Sequence, residues 1–162
     1  MVWKPLILCV DDTPSILEGQ KMLLEENGYR VLTATNGTDA FEAFMTRSVD
    51  LVLLDYHMPG MTGAVVAERI KERNPDVPII LMSGDEDVPP RDLEAVDCFL
   101  SKLEPIANFL EKVDHLLSLR FLFRPFSTLE TQGGGVDTNE LGLERPNHTA
   151  IFLRNVGIQK MP

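Results

Sequence analysis

The sequence predicts an α/β fold: a doubly wound parallel sheet of five βα units, with a shortened fourth helix. Three observations predict it. Five short apolar runs recur, at residues 6–10, 30–34, 51–54, 77–82 and 98–100. Most of them lack polar alternation, which suits strands covered on both faces. Helical patterns lie between them, and parallel strands joined through helices need right-handed crossovers that place helices on both sides of the sheet.

The elements follow in order. Leu6 to Val10 is the first strand and ends in Asp11-Asp12. Thr13-Pro14 opens a helix, with Thr13 as N-cap and Pro14 in the first turn. Asn27-Gly28 closes it, with Gly28 free to take the left-handed C-cap conformation. Arg30 to Ala34 is the second strand, and a helix from about Thr38 to Thr46 follows. Leu51 to Leu54 is the third, ending in Asp55 before the turn Tyr56-His57-Met58-Pro59-Gly60. A helix from about Gly63 to Arg73 stops ahead of Asn74-Pro75. Val77 to Met82 is the fourth strand and runs into Ser83. The stretch from Asp85 to Pro90 is a poor helix start, so a short helix or a loop-like link is expected over Arg91 to Val96. Cys98 to Leu100 is the fifth strand, just before Lys102. The last helix carries one apolar stripe: Ile106, Phe109, Leu110, Val113, Leu116 and Leu117.

Length and charge narrow the function. The 162 residues suffice for one domain with a real core. Net charge is −10, with 25 acids against 15 Lys and Arg. No local basic patch interrupts this excess in the sequence, so a nucleic-acid-binding surface is not expected. The acids concentrate before Arg120, which places a boundary near residue 120: a domain over 4–119 and an extension over 120–162, flexible or a docking segment. No apolar stretch approaches the roughly 20 residues that span a bilayer, and no signal peptide is evident, so the expected location is cytoplasmic. Cys9 and Cys98 read as small buried hydrophobes of a reducing compartment.

In an open α/β sheet the working crevice lies at the carboxyl ends of the strands. Here those ends carry Asp11-Asp12, Asp55, Ser83 and Lys102. Each has an ordinary structural explanation when taken singly: a helix cap, a turn former, a loop serine, a solvated lysine. On one rim they make coherent chemistry. Three crowded carboxylates repel one another unless a hard cation binds, and magnesium takes oxygen ligands. A cation there would also neutralise an incoming phosphoryl group. Asp55 can then act as a nucleophile forming an acyl phosphate, with Lys102 and Ser83 addressing phosphate oxygens.

These features together resemble the receiver domain of two-component response regulators, over about residues 4 to 119. The resemblance rests on Val10-Asp11-Asp12, Leu53-Leu54-Asp55, Met58-Pro59-Gly60, Met61-Thr62-Gly63, Ser83, and Phe99 three residues before Lys102. It implies a flavodoxin-like sheet of order 2-1-3-4-5. It implies that Asp55 accepts phosphate from a histidine kinase or a histidine phosphotransfer protein. Asp11, Asp12, Asp55 and the backbone carbonyl of His57 are implied to hold Mg2+, Ser83 and Lys102 to engage the phosphoryl group, and Phe99 to act as the switch aromatic. The side chain of His57 is expected at the mouth of the site. An unnamed downstream protein and a homodimer are partners the resemblance allows; a nucleic acid or a membrane is not expected.

The chain departs from the family pattern in places. Leu103 rather than Pro follows Lys102, and Pro comes only at Pro105. The segment from Ser83 to Lys102 is short and carries Pro89-Pro90. The reading is a stand-alone receiver, a phosphoacceptor switch and not an enzyme with an external substrate. A non-switching scaffold is the alternative. An aspartyl phosphohydrolase of the dehalogenase-like class would need D-x-D after the first strand, where Asp11-Asp12-Thr13 stands. In the extension, Gly133-Gly134-Gly135 reads as a flexible break, and Asn147-His148-Thr149 as a glycosylation sequon that a cytosolic protein would not use.

Overall fold

The computed structural model describes residues 3–85 and 88–123. The readings of the extension from residue 124 onward lie outside the described residues. Five strands form one parallel sheet: β1 (Leu6–Val10), β2 (Arg30–Ala34), β3 (Leu51–Asp55), β4 (Ile79–Ser83) and β5 (Cys98–Ser101). Their order is β2-β1-β3-β4-β5, the doubly wound arrangement the sequence predicts. The helices are α1 (Pro14–Glu26), α2 (Gly37–Thr46), α3 (Gly63–Arg73) and α4 (Ile106–Phe123).

The central strands are buried along their whole length, as their unbroken apolar runs require. Alternate residues feed two cores. Leu8, Val10, Val52, Leu54 and Leu81 pack with Phe44, Val66 and Ile70 of α2 and α3. Ile7, Cys9, Leu53 and Ile80 pack with Leu17 and Leu24 of α1 and Phe109, Val113 and Leu117 of α4. Burying each such aliphatic side chain stabilises the fold by about 2 kcal/mol before chain entropy is charged.

Local signals are partly as expected. Gly28 follows the C-cap of α1 with φ of +89°, and its N–H donates to the Glu25 carbonyl. Thr13 holds the N-cap position, yet its hydroxyl caps nothing; it reaches Asp12 Oδ1 at 3.5 Å instead. The α2 cap is Asn36, whose Oδ1 accepts from the Asp39 N–H at 2.9 Å. The fourth helix is a single 3-10 turn at Pro90–Leu93, with Pro89 as its cap. Two prolines fix the entering backbone, and too few residues remain before β5 for a longer helix. The last helix runs without a break past residue 120 to Phe123, and Phe121 packs edge-on to Trp3 at 4.2 Å.

One expectation needs correction. Cys9 is fully buried, but Cys98 is only half-buried, because β5 is an edge strand. The sheet order separates them by three strand steps, about 14 Å, whereas a disulfide needs Cα atoms within roughly 7 Å. Burial also pushes the Cys9 thiol far above its ordinary value, so little thiolate is available. Peptide mapping after mild oxidation of folded monomer should find no Cys9–Cys98 bridge. A bridge would require β1 and β5 to be neighbours.

Candidate functional site

β1, β3 and β4 end on one rim and deliver Asp11, Asp55 and Ser83 there. Asp55 is the last residue of β3 and is buried, as are Asp11 and Ser83; Asp12 is exposed. Ligand oxygens of Asp11, Asp12 and Asp55 lie within 4.8 Å of one another. Lys102 sits between two of them, its Nζ 2.7 Å from Asp11 Oδ2 and 2.9 Å from Asp55 Oδ1. One ammonium against three carboxylates leaves a net charge near −2, a match for one divalent cation. The donor set, all hard oxygen, suits magnesium chemically.

The absence of proline after Lys102 does not displace its side chain. The Lys102 N–H donates to the Ser83 carbonyl at 2.8 Å, extending the β4–β5 ladder by one residue. Ser101 then builds the turn: its hydroxyl accepts from the Leu103 N–H at 3.2 Å and its carbonyl from the Glu104 N–H at 3.0 Å. Asp11 serves two purposes at once. Its Oδ1 accepts from the Thr13 N–H at 2.9 Å, the ordinary turn contact, while Oδ2 meets Lys102.

Electrostatics follow from the crowding. Burial pushes the Asp55 carboxyl above its ordinary value; Lys102 pulls it down, Asp11 adds to the rise, and a backbone hydrogen bond from His57 opposes it. Burial would lower the Lys102 ammonium, but its hydrogen bonds to Asp11 and Asp55 outweigh that and hold it above its ordinary value.

The His57 side chain is exposed at the mouth, as expected, with Nε2 2.9 Å from Asp85 Oδ2. The Ser83 hydroxyl accepts from the Asp85 N–H at 3.1 Å. Phe99 is half-buried on β5 opposite Leu81, packed against the core shared with α2 and α3. The sequence reading missed two partners. Asp85 faces His57, and the Tyr56 hydroxyl donates to Asp92 Oδ2 at 2.6 Å, tying the β3 end to the 3-10 turn. Neither pairing has a local signal, since the Tyr56 partner lies 36 residues away.

A five-stranded doubly wound sheet with three carboxylates and a lysine on its carboxyl rim defines a class of α/β domains whose working crevice is an acidic, cation-suited rim. Within it, the chain belongs to the response regulator receiver domain family, whose model matches residues 7–113. Among solved structures it is similar to the response regulator TrrA of Thermotoga maritima in complex with Mg(2+)-BeF. That chain is 37% identical with a TM-score of 0.65, and the match covers 69% of this chain and 98% of that one. TrrA has also been solved in complex with the histidine kinase ThkA. A CheY-like receiver domain protein of Methanospirillum hungatei is 26% identical with a TM-score of 0.71, over 74% of this chain and 98% of that one. The autoinducer 1 sensor kinase/phosphatase LuxN of Vibrio campbellii is 41% identical over 81 residues; the match covers 50% of this chain and 10% of LuxN. The chain thus spans only a small part of that relative. No described helix is long and apolar enough to cross a membrane.

Proposed function

We propose that this receiver domain accepts a phosphoryl group on Asp55 in a magnesium-dependent reaction. The observation that carries the reading is the cluster of three carboxylates held within 4.8 Å, with Lys102 between Asp11 and Asp55. A carboxylate oxygen of Asp55 attacks the phosphorus of a phosphohistidine on a kinase or phosphotransfer protein. A P–O bond forms, the P–N bond breaks, and the imidazole leaves. Lys102 offers its charge to one phosphoryl oxygen and Ser83 its hydroxyl to another. Bound by Asp11, Asp12, Asp55 and the His57 carbonyl, magnesium would supply the positive charge that offsets the approaching phosphate. The kinase complex of TrrA supports a histidine kinase as phosphodonor partner. Phe99 stands opposite Leu81, two residues ahead of the Ser83–Ser101 pair, and its packing against the core suits a switch aromatic read by a downstream protein.

A small phosphodonor with and without magnesium, followed by intact-mass measurement, tests this. One phosphoryl group added only with magnesium is expected. No uptake under either condition would favour the non-switching scaffold, for which the reduction of the fourth helix to Pro90–Leu93 speaks.

The metal assignment has its own test. By calorimetry, Asp12→Ala should weaken magnesium binding by at least ~10-fold, since it removes a charged oxygen ligand, while Ser83→Ala should change it little. Equal losses in both would overturn the ligand set.

A further inference from the structure

A second charged feature lies at the opposite end of the sheet. A cavity of about 350 Å³ opens where α2 hands over to β3 and where α3 ends. Arg47, Arg73 and Arg120 line it from three separate segments, together with Ser48, Asn74 and the buried ring of Phe44. Five residues of β3 separate it from Asp55, about 16 Å at the usual strand rise.

The three guanidiniums are not equivalent. Arg120 is fixed in place: its side chain is only 9% exposed, and it donates to the carbonyls of Val49 at 3.3 Å and Asp76 at 3.2 Å. Its Nε also lies 3.9 Å from Asp50 Oδ1. Arg47 and Arg73 are exposed, and neither has an acidic partner within ion-pair distance among the described residues. Negative charge nearby comes from backbone as well as side chains. The C-termini of α2 and α3 carry about half a negative charge each. Asp50 adds one and is itself engaged by the Leu6 N–H at 2.9 Å. Asp76, whose carbonyl accepts from Arg120, adds another, but among the described residues none of these acids forms an ion pair with Arg47 or Arg73.

We infer that this pocket binds a small phosphate-bearing anion. Guanidinium forks match oxyanions through paired N–H donors. The exposed forks of Arg47 and Arg73, from two segments and beside the fixed charge of Arg120, suit a tetrahedral group with several oxygens better than a planar carboxylate with two. Ser48 and Asn74 offer further polar contacts, and the volume falls in the range of small-molecule sites. The inference is independent of the role of Asp55, which lies on the other rim.

Calorimetric titration of the full chain with inorganic phosphate in metal-free buffer tests it, because the carboxylate rim repels phosphate there. Saturable binding is expected, and Arg47→Ala with Arg73→Ala should weaken it by at least ~10-fold. Both residues are exposed, so the fold should tolerate the change. The pair Arg47→Lys with Arg73→Lys should regain only part of the affinity. Full affinity in that lysine pair would mark a simple charge effect and overturn the site. Acetate binding as tightly as phosphate would overturn the ligand class. Loss of binding in Lys102→Ala, but not in the arginine variants, would place the ion on the carboxylate rim and overturn the inference.

Discussion

Asp55→Asn is expected to take up no phosphate from a small phosphodonor under conditions where the natural chain gains one phosphoryl group. An amide oxygen is a poor nucleophile, and the substitution also removes one charge from the proposed cation site. Loss of uptake by itself could reflect a damaged fold, so stability supplies the control. Burial, reinforced by Asp11, holds the Asp55 carboxyl above its ordinary value despite Lys102. A folded value above the unfolded one favours the protonated form. The associated stability is present below the unfolded value and lost as pH rises through the folded one. At neutral pH without metal, ionised Asp55 therefore costs stability, and the neutral amide removes that cost. The variant should melt at or above the natural chain near pH 7, with the gap closing as pH falls through the raised folded value of the carboxyl. Full phosphate uptake by the variant would sink the assignment of the acceptor. A clear fall in melting temperature at neutral pH would show that the Lys102 ion pair outweighs burial.

Gly63→Ala should be the most damaging added methyl among the described glycines. Gly63 opens α3, and its N–H donates to the Tyr56 carbonyl at 3.1 Å. A Cβ there would collide with the Asp55 carbonyl oxygen and lie 2.8 Å from Leu81 Cδ1. Backbone cannot yield as a flexible side chain can, so α3 must lift from the end of β3. A loss of about 3 kcal/mol is expected by chemical denaturation, together with reduced phosphate uptake, since the displaced atoms belong to Asp55 itself. Gly19→Ala is the matched control. It lies inside α1 with nothing within 4 Å of the added carbon. It should stabilise by about 0.5–1 kcal/mol. Equal stability of Gly63→Ala and the natural chain would mean that the close approach of α3 to β3 is wrong.

Much of this arrangement was legible from residue order, for physical reasons that can be stated. Strands covered on both faces must be apolar throughout, so β1 and β3 announced themselves, and the rim rule placed Asp11, Asp12, Asp55, Ser83 and Lys102 together. The apolar run at 77–82 starts two residues ahead of β4. Val77 is buried, which mimics a strand, but Pro78 has no N–H to give, and pairing begins at Ile79. The Asn36–Asp39 cap was readable and overlooked, since a capping side chain three residues ahead of an acid is a local pattern. The ion pair of Lys71 with Asp97 at 2.6 Å was not readable. It joins the end of α3 to the start of β5 across 26 residues, and only the finished fold brings the two together. The same holds for Tyr56 with Asp92, and for the Ser101 turn that seats Lys102 without a proline.

The edge-on contact between Trp3 and Phe121 has an optical consequence. Trp3 is the only tryptophan in the chain, so all indole emission comes from one ring, half exposed and resting on the final turns of α4. It precedes β1, at the strand end remote from the carboxylates. Its colour and intensity therefore track how firmly the last helix is fastened to the sheet. A fluorescence trace recorded during denaturation is a gauge of that fastening, and a signal change on adding phosphodonor would mean that the far end of the molecule had moved.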